Sequence, residues 1–419
     1  MKKLKLFTGW LFDPIDSASF TVFRVVFGFC LCLFVLQWFQ NNWIEEYILA
    51  PPVHFTFFGF DWVKPWPGRG MYWHFYGLGL LSLGILFGVW PRLCSFFFCL
   101  GFTQLFLIDQ AYYENHYYLI CLLTFLLSLF PVKDGYIPRW CLLLLRTQFF
   151  IVYFYAGIAK CNNDWISGVP MGSMLAARAN WPLIGPIFLL PKVVFFFVHG
   201  GLLFDLLVGP LLFWKRSRIY AFGAAVFFHL LNFSLFKIGI FPWMMIAGTS
   251  LFLSPSWPRG IFRWVDRRTI PTFSPSRWTT ALVVGYVSFQ ALLPLRQHLY
   301  QGPVHWTELG GFFSWRMMVN VKEVRAVFFA VNPTNHQVWQ IDPREYLNHL
   351  QLKQLSRPDN ILQFSHFIRE RLGGKVEVRA NVRLSLNGRP FQMFIDPSRD
   401  LASEKRTLQE KDWILPFQP

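Results

Sequence analysis

ASFTVFRVVFGFCLCLFVLQWF, residues 18–39, carries a single charged side chain, Arg24. At about 1.5 Å of rise per residue, a helix of roughly 20 such residues crosses the ~30 Å hydrocarbon core of a bilayer. Eight more apolar stretches follow, near 72–90, 93–109, 115–131, 140–159, 189–213, 219–236, 238–254 and 279–297. The chain therefore reads as a polytopic α-helical membrane protein with about nine transmembrane helices. Breaks such as Pro91, between the second and third stretches, put the range at eight to ten. Composition points the same way: the 419 residues are 54% hydrophobic, 20% aromatic and only 15% charged. Lipid-facing helices and interfacial aromatic belts use such a mixture, whereas a water-soluble core has no need of it.

The net charge of +16 invites a nucleic-acid reading, but the basic residues punctuate hydrophobic runs and act as topology signals. No nucleic-acid partner is expected; membrane lipids are. With the N-terminus in the cytoplasm, cytoplasmic segments collect Lys2, Lys3, Lys5, Arg92, Lys133, Arg139, Lys215, Arg216, Arg218, Arg259, Arg263, Arg267, Arg268 and Arg277. The opposite loops collect Lys64, Arg69, Lys160, Arg178, Lys192 and Lys237. This bias, with an odd number of spans, sends the C-terminal segment to a periplasm or lumen. The expected division is a transmembrane domain over 1–299 and a small α+β extracytoplasmic domain over 300–419. Within the latter, Val324–Val331 and Gln337–Ile341 flank a turn at Asn332–Asn335, Pro358–Arg371 forms a helix stopped by Gly373-Gly374, and Asn387-Gly388 turns a hairpin into Phe391–Ile395.

The seven cysteines all precede residue 162, so the tail is not a disulfide-stapled domain. Cys30 and Cys32 lie in an apolar run without His or Cys companions, and no metal site is expected. Met1–Lys5 is basic, but Phe12–Phe20 contains Asp13, Pro14 and Asp16 and makes a poor signal-peptide core.

Ionisable groups at membrane depth cost at least ~2.5 kcal/mol each on insertion scales and need a reason. Several fall at the outer ends of spans. Asn115 and His116 open the fourth; Tyr153 and Lys160, seven residues apart and so on one helical face, end the fifth. His199 precedes Gly200-Gly201 in the sixth, His229 and Asn232 share a face late in the seventh, and His298 follows the ninth. Each has a bland explanation: Lys160 snorkelling to the interface, His116 as an interfacial histidine, His199 satisfying a backbone group, His229 and Asn232 bonding between helices. Their convergence from five spans fits a polar site between helices, without naming a reaction.

Seven stretches, in order, resemble the vitamin K-dependent γ-glutamyl carboxylase family, whose membrane part is the horizontally transferred transmembrane (HTTM) domain. They are Asn115–Leu119 (NHYYL), Phe150–Gly168 (FIVYFYAGIAKCNNDWISG), Val198–Leu212 (VHGGLLFDLLVGPLL), Phe228–Trp243 (FHLLNFSLFKIGIFPW), Leu293–Gly302 (LPLRQHLYQG), Ser314–Met318 (SWRMM) and Asn387–Pro397 (NGRPFQMFIDP). The chain is similar to a short, bacterial-type member; animal members carry a larger lumenal region that helps bind a propeptide. The resemblance implies oxidation of vitamin K hydroquinone by O₂ to the epoxide. The strong base formed on the way removes a γ-proton from a glutamate in a peptide or protein substrate, and CO₂ adds.

By the same resemblance Lys160 is the weak base that ionises the quinol, and His116 belongs to the carboxylation half, with Asn115 beside it. Asn115, Tyr153, His199, His229, Asn232, His298, Met317 and Met318 are assigned to the quinol pocket. An apolar setting would favour the neutral amine that a base requires. Two departures stand out. Gln297 occupies the position of a histidine found in animal members, with His298 displaced by one, and the animal lysine pair is reduced to Ala159-Lys160. Two other activities remain open, a quinol epoxidase without protein carboxylation and a non-enzymatic quinone- or lipid-binding scaffold.

Overall fold

The computed structural model describes residues 9–236, 238–262 and 269–418. The basic N-terminal segment, Lys237 and the arginines at 263–268 lie outside these. Each of the nine apolar stretches becomes a helix: α1 (Ala18–Gln40), α2 (Gly70–Phe87), α3 (Pro91–Ile108), α4 (Asn115–Leu129), α5 (Arg139–Lys160), α6 (Pro191–Phe213), α7 (Arg218–Leu235), α8 (Phe241–Ser250) and α9 (Arg277–Leu292). Among the described residues seven are long and apolar enough to span a bilayer, counting α9 with the 3-10 turn Leu293–Leu299 that extends it. Helices α4 and α8 are the exceptions, with 15 and 10 residues. Seven helices of full span length are thus found among the described residues where about nine crossings are expected.

The turn signals place the boundaries. Pro91 opens α3 at its first position, where the missing N–H has no helical partner, and Gly88 closes α2 in the left-handed conformation. The helical body is packed around α5, whose buried positions run its whole length from Trp140 to Lys160. Outward positions carry large exposed apolar groups instead, among them Phe195 and Leu203 on α6 and Ile219 and Tyr220 on α7. Close approach of helices is set by glycine. A Cβ on Gly157 of α5 would lie 2.7 Å from Leu206 Cδ2 and 3.0 Å from the Leu206 backbone nitrogen of α6.

The tail forms a four-stranded antiparallel sheet in the order β4-β3-β5-β6, with β3 Lys322–Val331, β4 Val338–Ile341, β5 Glu377–Leu386 and β6 Gln392–Met393. Strands β1 (Pro14–Asp16) and β2 (Tyr136–Pro138) make a separate two-stranded ribbon beside the starts of α1 and α5. In β5, Val378, Ala380, Val382, Leu384 and Leu386 alternate inward, as the period-2 pattern requires. They meet Ile361, Phe364 and Ile368 of helix α10 (Pro358–Arg371). The expected hairpin and helix stop are both present, while the last strand is shorter than the 391–395 run.

The two parts interpenetrate. Phe55 and Ala111, from loops of the helical body, are buried in the tail's core, and Trp315 of the tail is buried in the helical core with its ring 5.1 Å from that of Tyr118.

Candidate functional site

Between the helices and under the tail lies a cavity of about 900 Å³, within the range that holds an organic cofactor or substrate. It gathers Asn115 and His116 of α4, Tyr153 and Lys160 of α5, His229 and Asn232 of α7, and Met317 and Met318 of the tail. Eight of the ten residues singled out from sequence therefore share one space. The other two do not. The His199 ring stacks on Phe195 at 4.0 Å with Nδ1 3.1 Å from the Phe195 carbonyl, a helix-surface arrangement away from the cavity. His298 is exposed on the turn after α9 and contacts Gln297 at 3.4 Å. It is Gln297 that reaches inward, its amide oxygen accepting a hydrogen bond from Arg316 at 3.1 Å.

Asp205, missed from sequence, is the partner of Lys160. The Lys160 ammonium donates to Asp205 Oδ2 at 2.6 Å and to the Ala156 carbonyl at 3.3 Å, and it lies 5.2 Å from the centre of the Trp165 ring. Both side chains are under 10% exposed. The setting of Lys160 is thus an ion pair at the wall of an apolar cavity and not a purely apolar one. The signal was available: Asp205 is the one acid within the apolar run of α6, and a lone intramembrane carboxylate requires a counter-charge. The sequence holds no indication of which lysine supplies it, 45 positions away.

A second polar chain lies along the same face of α5. Tyr153 Oη is 2.6 Å from His229 Nε2 and 3.0 Å from Thr249 Oγ1, and the Thr249 hydroxyl donates to the Met245 carbonyl at 2.6 Å. All three contacts are satisfied when the Tyr153 hydroxyl donates to Thr249 and His229 Nε2–H donates to Tyr153; this tautomer is assigned from the network. It leaves His229 Nδ1, which has no hydrogen-bond partner among the described residues, as an acceptor. The His116 ring packs against Tyr117 and Phe241 and makes no hydrogen bond to a described residue. Phe204, Phe228 and Phe241 supply apolar wall. Among the described residues no cluster of His, Cys, Asp or Glu has the arrangement of a metal site.

The loop that closes the cavity is strained. Phe313, Trp315 and Met318 all adopt positive φ, +58°, +57° and +54°, a region that costs a side-chain-bearing residue about 1 kcal/mol or more. Burial of Trp315 and the bond from Asn115 Nδ2 to the Arg316 carbonyl, 3.2 Å, hold it in place.

Fold and site together define a multi-pass membrane protein whose helical body encloses a polar-lined apolar cavity closed by an α+β domain. Residues 12–257 match the family model of the HTTM domain, and residues 275–419 match that of the vitamin K-dependent gamma-carboxylase lumenal domain. The chain belongs to the vitamin K-dependent gamma-carboxylase family. No solved structure matches it.

Proposed function

We propose that this protein is a vitamin K-dependent γ-glutamyl carboxylase acting on glutamate side chains of a peptide or protein, with Lys160 and His116 as its catalytic residues. The observation that carries the reading is the Lys160–Asp205 pair, buried at the wall of an apolar cavity that also holds His116. Two charges are removed from water there at considerable cost, and a purely structural contact is equally well made by apolar side chains.

The cavity fits a fused-ring hydroquinone with an apolar tail. Phenylalanines face the ring and tail, while Tyr153, His229 and Asn232 offer polar groups for the ring hydroxyls. When bound, the hydroquinone is oxidised by O₂ to its epoxide and supplies the strong base that takes the glutamate γ-proton before CO₂ adds. Lys160 accepts the hydroxyl proton that ionises the hydroquinone as a neutral amine, the form it takes when its own proton has passed across the 2.6 Å bond to Asp205. Asp205 holds the amine in position and carries that proton in the neutral form of the pair. His229 Nδ1 accepts a hydrogen bond from a ring hydroxyl, and His116, which makes no hydrogen bond to a described residue, engages the reacting glutamate. Apolar walls and the strained 312–318 loop keep out water, which would quench a strong base. Atoms balance when hydroquinone, O₂, CO₂ and glutamate give epoxide, carboxyglutamate and water.

The same reading places the membrane domain over 1–299 with a cytoplasmic N-terminus and residues 300–419 on the periplasmic or lumenal side. It is supported by the concentration of Lys and Arg in alternate loops.

The test is to incubate the purified protein with vitamin K hydroquinone, O₂, labelled bicarbonate and a glutamate peptide. Epoxide with label fixed in the peptide is expected. Epoxide alone would make the protein a quinol oxygenase, and neither product would make it a binding scaffold.

A further inference from the structure

Arg316 is placed differently from the other cations of the tail. Arg316 lines the cavity, and its guanidinium donors meet neutral acceptors: Nη1 reaches the Gln297 amide oxygen at 3.1 Å and Nη2 reaches the His305 ring at 2.8 Å. Among the described residues no carboxylate lies within ion-pair distance of it. Burial, and then the Arg316 charge itself, hold the His305 pKa near 4, so that ring is neutral and brings no counter-charge.

Behind Arg316 sits Glu308, already engaged by Lys322 at 2.7 Å and by Arg357 at 3.9 Å. Burial alone would raise the Glu308 carboxyl, but Lys322 and Arg357 outweigh it and hold it at about 2, so it is ionised. Three cations thus share one firm carboxylate. Of the other acids nearby, Asp164 is taken up by Arg389 at 2.7 Å. Glu114 lines the cavity; burial lifts its pKa to about 7 against the pull of Arg357, so it offsets the surplus only in part near neutral pH. A surplus of positive charge in protein surroundings is costly, and an incoming anion relieves it.

We infer that Arg316 is the carboxylate anchor of the cavity, binding the side-chain carboxylate of a peptide glutamate. This rests on the carboxylase reading for the identity of the ligand, although the geometry alone asks for a carboxylate. The planar guanidinium matches the two oxygens of a carboxylate. The anchor also has a chemical use. Removing a γ-proton from a glutamate places a second negative charge next to its carboxylate, and a fixed cation there stabilises the carbanion as it forms. Gln297 and His305 act as positioning groups that aim the guanidinium and leave its charge uncompensated. The polar Asn41 of the chain after α1 and Gln354 of the tail line the same cavity, as an approach for a peptide requires.

The experiment uses the full chain in lipid nanodiscs, a short glutamate peptide and its glutamine counterpart. Wild-type protein is expected to be thermally stabilised by the glutamate peptide and not by the glutamine peptide. Arg316→Gln is expected to abolish that preference and to raise the KM for the glutamate peptide roughly ten- to hundredfold, the worth of a charge-assisted hydrogen-bond pair. The KM for hydroquinone should be unchanged, and Arg316→Lys should recover part of the peptide affinity. Equal stabilisation of the wild type by the two peptides overturns the inference, whether or not the variants fold. So does an unchanged peptide KM in Arg316→Gln, or an equal rise in the hydroquinone KM. If the wild type prefers the glutamate peptide through Arg316 but fixes no label, the carboxylase reading fails and the anchor stands.

Discussion

Replacing Asp205 with Asn leaves Lys160 as a buried cation facing a neutral amide. Breaking a buried pair from one side costs about 3–5 kcal/mol; Asp205→Asn is therefore expected to lower the unfolding temperature and cut the rate of epoxide formation. The double substitution Lys160→Met with Asp205→Leu removes both charges together, and thermal unfolding should show most of the lost stability regained while epoxidation stays absent. A structural role alone would not separate those two readouts. Lys160→Ala should abolish epoxidation, and an unaffected rate would remove Lys160 as the quinol base. His116→Ala should reduce label fixation at least as much as epoxide formation; a normal carboxylation rate would exclude it from the site. At this scale the sequence marked polar residues well but paired them poorly. Insertion cost singles out an ionisable group one position at a time, whereas the bond between Lys160 and Asp205 depends on how two helices meet. His199 shows the opposite failure: its side chain is satisfied by the Phe195 carbonyl one turn earlier and needs nothing from the cavity.

Helices are where the sequence was most legible, because hydropathy is a local property and apolar runs bounded by Pro and Gly have few alternatives in a bilayer. What it left hidden is helix spacing. Gly157 lets α5 approach α6 until its Cα faces Leu206, the residue after Asp205. That approach brings the Lys160 amine within 2.6 Å of its carboxylate. Gly157→Ala pushes a methyl group into the Leu206 backbone nitrogen as well as its flexible side chain, so the helices have to separate by a few tenths of an ångström. Overpacking of this kind costs typically about 1–3 kcal/mol. The expected result is a slower epoxidation turnover together with a modest fall in thermal stability, and Gly157→Val should be worse on both. An unchanged turnover in the valine variant would show that helix spacing does not set the geometry of the pair.

Across the whole molecule, the tail is fastened to the helical body by polar contacts that no periodicity reveals. Asp164, just beyond Lys160, accepts from both guanidinium nitrogens of Arg389 at 2.8 and 2.7 Å and from Asn387 at 2.6 Å. Gln351 donates to Asp109 at 2.8 Å, and Gln110 donates to Asp359 at 2.7 Å. The hairpin and α10 were readable as elements; their docking was not, because each contact joins residues more than 200 positions apart. Charge in this region makes assembly sensitive to acid. The Glu308 carboxyl, raised by burial but lowered further by Lys322 and Arg357, sits at about 2 in the folded protein, against an ordinary value of 4.5. A depressed carboxyl contributes stability that is complete above about 4.5 and is lost as pH falls through about 2. Thermal unfolding temperature should therefore drop across pH 4.5 to 2.5 more steeply in the wild type than in Glu308→Gln, which starts lower but lacks that slope. Parallel curves would mean that the Glu308 pair makes no net contribution.

The insertion of Trp315 into the helical core has a consequence for biosynthesis. Ribosomes deliver the chain from its N-terminus, so every membrane helix, with Lys160, Asp205 and His116, is made before residues 312–318 exist. A nascent or prematurely terminated chain holds the polar residues of the helices but lacks the wall supplied by Arg316, Met317 and Met318. Under the proposed carboxylase function, competence to generate a strong base is thereby deferred until the last quarter of the polypeptide has been synthesised and docked, and truncated products are left without a closed chamber in which to form one.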